Sequence, residues 1–468
     1  MSNENFDLAI IGGGPGGYVA AIRASQNGLK TALIEKETLG GECLNHGCIP
    51  SKALIHVAEA YSGLSALAGM GVQVSGVTLD LSAAVEWKNK IVKRLTTGVG
   101  SLMKANAVTV INGIASFLDN RTVRVVAGSE ERNIHAGQVM IAVGTTPISL
   151  SALPLDGQLI ISHREALAPA RLPARLLVVG GGYIGLELGM MYAKFGSAVT
   201  IVEVLERMLP GTQTEALRVI NRNLRRLKMK VLTRTKVTGM VRANNSAMVT
   251  LENAEGATEM LKVDQVLVTV GRRPSTAGLG LENTEVALDE KGFIKVDAQR
   301  RTTEPSIFAV GDVAGPPLLA HKASAEGLVA ADAAAGKPAA FNPRAIPAVV
   351  FADPEVAVVG LSKEEAIKRG YDAEEASFPF LALGRALTMN SGDGFARWIF
   401  SATDKQILGC EIVGPDASSL IGEAALAVEK KLTLDDVAGT IHPHPTLSEA
   451  LMEAAELGLG HPIHLPKK

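Results

Sequence analysis

Apolar positions along this chain gather in short unbroken runs separated by glycines, and the first such run sets a pattern that recurs downstream. In "FDLAIIGGGPGGYVAAIRASQNGLKTALIEK" (6–36) an apolar stretch gives way to a glycine cluster, then to an alanine-rich stretch, then to a second apolar run that ends in an acid. Runs of this kind read as strands buried on both faces, with the alanine-rich stretch as the helix between them, so the segment predicts strand, turn, helix, strand. "RLLVVGGGYIGLELGMMYAKFGSAVTIVEV" (175–204) predicts the same order again. Gly12, Gly14, Gly17 and Glu35 correspond to Gly180, Gly182, Gly185 and Glu203 at one constant offset. That self-similarity implies two βαβ units. Residues 176–193 are apolar enough to tempt a membrane-span reading, but glycines and Glu187 interrupt them, and a buried strand, turn and helix fits better. Strand character returns at "AVVFADPEVAVVG" (348–360), and Cys410 in "ILGCEIVG" reads as a buried strand residue.

The three glycines of each turn have separate tasks. The first permits the tight turn, the second lets a pyrophosphate approach the backbone, and the third lets helix and strand pack closely. The helix N-terminus then receives the phosphates. Glu35 and Glu203 should accept hydrogen bonds from ribose hydroxyls. An acid at the second site repels a 2′-phosphate, so the second nucleotide should be NAD rather than NADP. A fingerprint at the N-terminus joined to a second one downstream suggests FAD for the first site.

Length and composition narrow the picture without changing it. At about 150 residues per domain, 468 residues make about three domains. Charged residues at 20%, apolar residues at 47% and a formal net charge of -2 carry no bulk bias toward nucleic acid or an anionic membrane. The opening "MSNENFDLAI" shows no secretory signal, so a cytoplasmic location is expected.

Two of only three cysteines lie in "GGECLNHGCIPSK" (40–52). In a reducing compartment a close pair of this kind points to catalysis or metal binding. On an ideal helix, residues i and i+5 have Cα atoms roughly 8–9 Å apart, whereas a disulfide needs under about 7 Å. The segment must therefore leave regular helix if the sulfurs of Cys43 and Cys48 are to bond, and Gly47 with Asn45 offers the permissive backbone. Such a pair stores two electrons as a dithiol and would face whatever the first site binds. Two structural thiols, or two zinc ligands completed by His46 and a distant residue, are the other readings. The second tight pair typical of a zinc site is missing, and no metal is expected.

Together with the two fingerprints, "GGECLNHGCIPSKAL", "AVGTTP" (142–147), "VGRRP" (270–274), "IFAVGDVAGPPLLAHKASAEG" (307–327) and "HPHPTLSEA" (442–450) resemble the flavoprotein disulfide reductases, over residues 6 to about 450. The likeness is greatest to the branch that oxidises protein-bound dihydrolipoamide with NAD. It implies an α/β chain of two Rossmann-like dinucleotide-binding domains, for FAD (1–148) and NAD (149–271). A central flavin-contacting segment (272–340) and a C-terminal α+β dimerisation domain (341–468) would come next. It implies that Cys43 exchanges with the substrate disulfide, that Cys48 faces the flavin, and that Lys52 sits near the flavin N5 with Glu187 as partner. Asp312 would hold the ribityl chain, and Leu318, Ala320 and His321 would line the flavin. Ala115, Gly144, Val237 and Gly271 fall at cofactor-contacting positions. His444 would be the base, oriented by Glu449, with His442 as the competing candidate. Because the family's histidine comes from the partner subunit, a homodimer is implied, and a lipoyl-bearing protein is the expected partner.

Three positions depart from the family pattern. Glu42 stands where threonine is usual and places a negative charge beside Cys43, which should disfavour a thiolate there. Val143 replaces a threonine, and Pro443 replaces an alanine between the histidines. Rival readings are an NADH-dependent reductase of another disulfide, or a non-catalytic nucleotide-binding protein. A mercury-reducing function lacks its cysteine pair in the tail "LGLGHPIHLPKK".

Overall fold

A computed structural model describes residues 4–466. The chain forms two compact units, one of Met1–Gly180, Val237–Leu251 and Glu259–Asn342, the other of Gly181–Lys236, Glu252–Thr258 and Pro343–Lys468.

In the first unit, β1 (Glu4–Ile11) runs parallel between β2 (Thr31–Glu35) and the strand Glu130–Ile141. Ile11 stands level with Ile34 on one side and Ile141 on the other. The sheet continues past β2 to Thr109–Asn112. On its other side Glu130–Ile141 takes Ile307–Ala309 in parallel and an antiparallel ribbon of Thr122–Ala127 and Ile114–Phe117. Leu8, Ala9, Ile10 and Leu33 have no exposed surface, which explains why the sequence shows unbroken apolar runs rather than alternation here.

Helix α1 (Pro15–Gln26) comes after the first glycine turn and packs on the helix Ala320–Ala334. Their contact is built from small residues, Ala20, Ala21 and Ala24 against Ala330 and Ala331. A Cβ on Gly327 would stand 2.5 Å from the Gly16 carbonyl oxygen, so the two backbones touch there. This close approach holds the loop before Ala320 near the start of α1, where Gly16 lies beside Val310 and Ala323.

The second fingerprint folds as the sequence predicts. Its strand Arg175–Val179 pairs in parallel with Gln265–Val268, which pairs with Ile160–Ile161. In the second unit come the helix Tyr183–Lys194 and the parallel strands Ala198–Val202 and Lys230–Leu232. Among the described residues no helix is long and apolar enough to cross a membrane.

The C-terminal part is α+β. Its antiparallel sheet runs in the order Ala348–Val350, Glu355–Gly360, Ile407–Gly414, Phe395–Ser401, Ala373–Pro379. Helices Ala417–Lys430 and Glu449–Gly458 close one face over Trp398, Cys410 and Phe378. The Trp398 indole N–H donates to the Leu451 carbonyl at 2.8 Å and ties the second helix to the sheet. Cys410 is free and buried, and burial pushes its thiol up.

Arg397 and Glu411 face each other across two central strands on the opposite face. Glu411 is 2% exposed, and among the described residues neither carboxylate oxygen has a hydrogen-bond partner. Burial raises its pKa to about 7, against the opposing pull of Arg397. A carboxyl so raised takes up a proton on folding between its ordinary 4.5 and about 7, so its contribution to stability falls as pH rises across that window. Glu411→Gln should therefore gain on the native protein with rising pH, by on the order of 2–3 kcal/mol between pH 5 and 8. Denaturant unfolding at the two pH values measures this, and a difference that stays constant would contradict it.

Candidate active site

The redox segment begins just after β2. Helix α2 (Gly41–Asn45) ends at His46 and Gly47, and α3 (Cys48–Gly63) starts afresh. At the break the helical dihedrals are lost, with φ -133° at His46 and φ -126°, ψ -105° at Gly47. The two cysteines thereby stand only 4.7 Å apart at Cα and are joined as a disulfide. The Asn45 amide clamps the short helix by donating to the carbonyls of Leu39 at 3.1 Å and Gly41 at 3.0 Å.

This segment is seated on the first glycine turn. The Gly40 N–H donates to the Gly13 carbonyl at 2.8 Å. Gly41 has φ +59°, and a Cβ there would stand 2.5 Å from the Gly14 Cα. Gly12 has φ +106°, and Cβ atoms on Gly12 and Gly17 would run into the carbonyls of Ala142 and Gly12. Over Gly14 a Cβ would meet only the Gly41 Cα, at 3.8 Å. Glu35 accepts from the N–H groups of Gly13 at 2.7 Å and Glu37 at 2.8 Å.

The second turn repeats these contacts. Gly180 has φ +108°, the space over Gly182 is open, and Glu203 accepts from Gly181 N–H at 2.6 Å and Leu205 N–H at 2.9 Å. Gly185 lies in the helix beyond. Neither α1 nor the helix Tyr183–Lys194 has a side-chain cap at its N-terminus, so their first-turn N–H groups are left to other acceptors.

Asp312 lies in the turn Gly311–Ala314 and accepts from the Thr145 hydroxyl at 3.0 Å. Arg272 donates to the same hydroxyl and to the Thr145 carbonyl, both at 2.8 Å. Burial raises the Asp312 carboxyl, against the pull of Thr145, Arg272 and Lys322. A buried network fixes this turn: Glu326 accepts from Gly311 N–H and Arg300, both at 2.7 Å, and Lys322 donates to the Gly315 carbonyl at 2.6 Å. Leu318 and Ala320 are half-buried, and His321 is exposed. Gly144 and Gly271 adopt φ +67° and +127° beside the strands Thr145–Pro147 and Arg272–Pro274, which pair antiparallel. Ala115 is buried in the edge ribbon, Val237 lies in the strand Thr235–Ala243, and Val143 packs against the sheet core.

Glu42 is not the bare negative charge that the sequence suggests. The His163 imidazole and the Arg164 guanidinium lie on its two carboxylate oxygens, each at 2.5 Å, and Arg272 stands 3.6 Å away. Burial raises the Glu42 carboxyl, but the His163 and Arg164 hydrogen bonds outweigh it and hold the group well below the usual carboxylate range. Arg164 also faces Glu37 at 3.6 Å, and Glu37 faces His46 at 3.6 Å.

In the second unit, His444 is 79% exposed and its Nδ1–H donates to Glu449 at 2.8 Å, leaving Nε2 open. Glu449 also accepts from Thr446 N–H at 2.7 Å. Burial raises the Glu449 carboxyl, but the Thr446 and His444 bonds prevail and lower it. The His444–Pro445 bond is cis. His442 differs, since both of its ring nitrogens are engaged, by Thr440 and Glu423 at 2.9 Å each. Glu187 is buried and accepts from Phe351 N–H at 2.9 Å, while Lys52 is half-buried in α3 of the first unit.

Thr145, Arg272, His163, Arg164 and Glu326 are site residues that sequence reasoning does not single out. Ser162 and Glu165 form a capping box that marks the start of the helix carrying His163 and Arg164. Nothing in the spacing connects that helix to Glu42.

A family model described as pyridine nucleotide-disulphide oxidoreductase matches residues 6–327, and the dimerisation domain of the same family matches 346–455. The "Dihydrolipoyl dehydrogenase" of Geobacillus stearothermophilus is 46% identical over 462 residues, covering 99% of this chain and 98% of that protein. The protein of the same name from Pseudomonas aeruginosa is 46% identical over 463 residues, with 98% of each covered. The crystal structure of LpdA from Mycobacterium tuberculosis superposes with a TM-score of 0.90 at 26% identity, covering 97% of this chain and 99% of that one. A Cu(II) complex of the HOCl-induced flavoprotein disulfide reductase RclA from Escherichia coli gives 0.87 at 28% identity, covering 98% and 100%. With its glycine turns, its paired cysteines and both domain matches, the chain belongs to the pyridine nucleotide-disulphide oxidoreductases.

Proposed function

We propose that this chain catalyses the oxidation of protein-bound dihydrolipoamide to lipoamide with NAD as acceptor, FAD being held at the first glycine turn and NAD at the second. The observation that carries the reading is the Cys43–Cys48 disulfide seated on the first turn. The names of the full-length relatives support the substrate class.

The residues present fit both nucleotides. Each turn has a helix N-terminus without a side-chain cap, the space over Gly182 is open and that over Gly14 is approached only by the Gly41 Cα, and each acid keeps lone pairs beyond its two backbone bonds. Gly12, Gly14, Gly17 and Glu35 would hold FAD with Lys52, Ala115, Gly144, Asp312, Leu318, Ala320 and His321. Gly180, Gly182, Gly185, Glu203, Val237 and Gly271 would serve NAD, and Glu187 would be the partner of Lys52. Val204 and Leu205 come directly after Glu203 and offer no cation to a 2′-phosphate.

The residues act in sequence. His444, its Nδ1–H held on Glu449, accepts a proton at Nε2 from the first dihydrolipoyl thiol. That thiolate attacks the Cys43 sulfur, the Cys43–Cys48 bond breaks, and Cys48 leaves as thiolate. The second lipoyl thiol attacks the first lipoyl sulfur and passes its proton to the departing Cys43, which closes the lipoamide ring and breaks the Cys43–lipoyl bond. Two electrons then rest on the cysteine pair. Bound FAD supplies the route by which they pass from Cys48 to NAD and the disulfide reforms. His444 is favoured over His442 because only the former has an open ring nitrogen. The dimerisation-domain match supports a homodimer, and the substrate is a lipoyl group on a partner protein. The proposed division is FAD domain 1–148, NAD domain 149–271, central segment 272–340 and interface domain 341–468.

The purified protein should form NADH with dihydrolipoamide and not with reduced glutathione, and thiol-independent behaviour would remove the reading. His444→Gln should lower lipoamide turnover by at least about 100-fold while NADH oxidation by an artificial dye, which bypasses the thiols, survives. Equal loss of both activities would count against the base assignment.

A further inference from the structure

Four charged or titratable side chains from three segments meet at Glu42, the residue before Cys43: Glu42 from α2, His163 and Arg164 from the helix His163–Ala166, and Arg272 from the strand Arg272–Pro274. Glu42 directly precedes Cys43 in α2, so the charge of this group lies one residue from the cysteine that exchanges with substrate. The Glu42 carboxyl is held well below the usual carboxylate range, and two guanidinium groups lie opposite it, Arg164 being shared with Glu37. The Arg272 side chain is 9% exposed and that of His163 is 7%, so water screens them poorly, whereas Arg164 is 38% exposed. Glu37 and His46 face Arg164 from the far side, and Glu165 lies beside His163. Arg272 also reaches Asp312 through Thr145, which joins the cluster to the far side of the site.

We propose that Glu42 is a positioning residue that, through its pairing with Arg164, Arg272 and His163, sets how readily the Cys43–Cys48 disulfide is reduced. It cancels part of a positive field that would otherwise stabilise the thiolate. Reduction breaks the bond between the two sulfurs and delivers two electrons to them, turning neutral disulfide sulfurs into groups that can carry negative charge, so the field acts on the reduced form alone. Removing the carboxylate uncovers the cations and favours the dithiol. Removing a cation does the reverse. The opposite signs separate an electrostatic role from loss of structure, because loosening the segment would move both variants the same way.

The inference rests on reading Cys43–Cys48 as the redox centre, and its test needs no turnover. The flavin-loaded protein is equilibrated at pH 7 against a series of dithiothreitol redox buffers, and thiols are counted by alkylation and mass. Buried Cys410 serves as a constant background. Glu42→Gln and Glu42→Thr should each shift the equilibrium about tenfold toward the dithiol. Arg164→Gln should shift it a few-fold the other way, less because that side chain is part-exposed. Arg164→Lys should stay near the native value, and high salt should shrink the Arg164 effect. If both charge removals move the equilibrium in one direction, or if Glu42→Gln stays within twofold of native, the proposal fails. Where the Glu42 variants do not fold, the sign of Arg164→Gln against Arg164→Lys decides alone. A protein that equilibrates as described yet turns over no dihydrolipoamide would refute the proposed activity and leave this inference standing.

Discussion

The seating of the redox segment on the first glycine turn is the contact on which the rest of the site depends. It is backbone against backbone: Gly40 donates to Gly13, and Gly41 lies against Gly14 with no room for a Cβ. A single such hydrogen bond contributes only about 1 kcal/mol, so what fixes the geometry is exclusion of side chains rather than bond strength. The turn is itself held from below, since Glu35 at the end of β2 accepts from Gly13. A continuous path therefore runs from the buried sheet, through Glu35, Gly13 and Gly40, to α2 and the sulfurs.

The two fingerprints show how one βαβ unit is put to different uses. In both, the acid closing the second strand bonds the middle residue of the glycine triplet and a backbone N–H two residues further on. The face over the second glycine is open at Gly182, while at Gly14 only the Gly41 Cα approaches it. What differs is the continuation. After Glu35 the chain turns back over the nucleotide turn as the cysteine segment, while after Glu203 it exposes Val204 and Leu205. The repeated unit supplies the nucleotide geometry, and the segment that comes after Glu35 supplies the sulfur chemistry.

The two repeats, the buried strands, the helix break at Gly47 and the buried setting of Cys410 are legible in the sequence, because each comes from local rules of periodicity, glycine permissiveness or chain geometry. Asp312, His444 and Glu449 are nameable from family motifs. What the sequence conceals is every interaction that joins distant segments. The capping box Ser162–Glu165 can be read, but not that the two residues inside it meet Glu42. Thr145 and Arg272 sit inside recognisable motifs, yet their link to Asp312 needs the antiparallel pairing of two short strands far apart in the chain. Sequence reports which charges a segment carries. Only the fold reports which charges surround them.

Glu42 and Glu411 make that point within one molecule. Both are largely buried carboxylates with an arginine nearby, and proximity alone would assign them the same behaviour. Glu42 has a donor on each oxygen plus a second guanidinium, and burial is outweighed. Glu411 faces Arg397 with its nearest nitrogen at 4.0 Å, receives no hydrogen bond among the described residues, and shares that arginine with Glu215 and Glu375. There burial prevails and the carboxyl holds its proton to about pH 7. The deciding difference is the donors in contact with the charged oxygens, because burial raises both carboxyls and nearby cations pull both down, but only Glu42 adds direct hydrogen bonds to that pull. A residue beside a reactive sulfur therefore acts through the net charge of its whole contact set. Here that set pairs the Glu42 carboxylate with two guanidinium groups and an imidazole, so the charge beside Cys43 is that of the whole set and not of Glu42 alone.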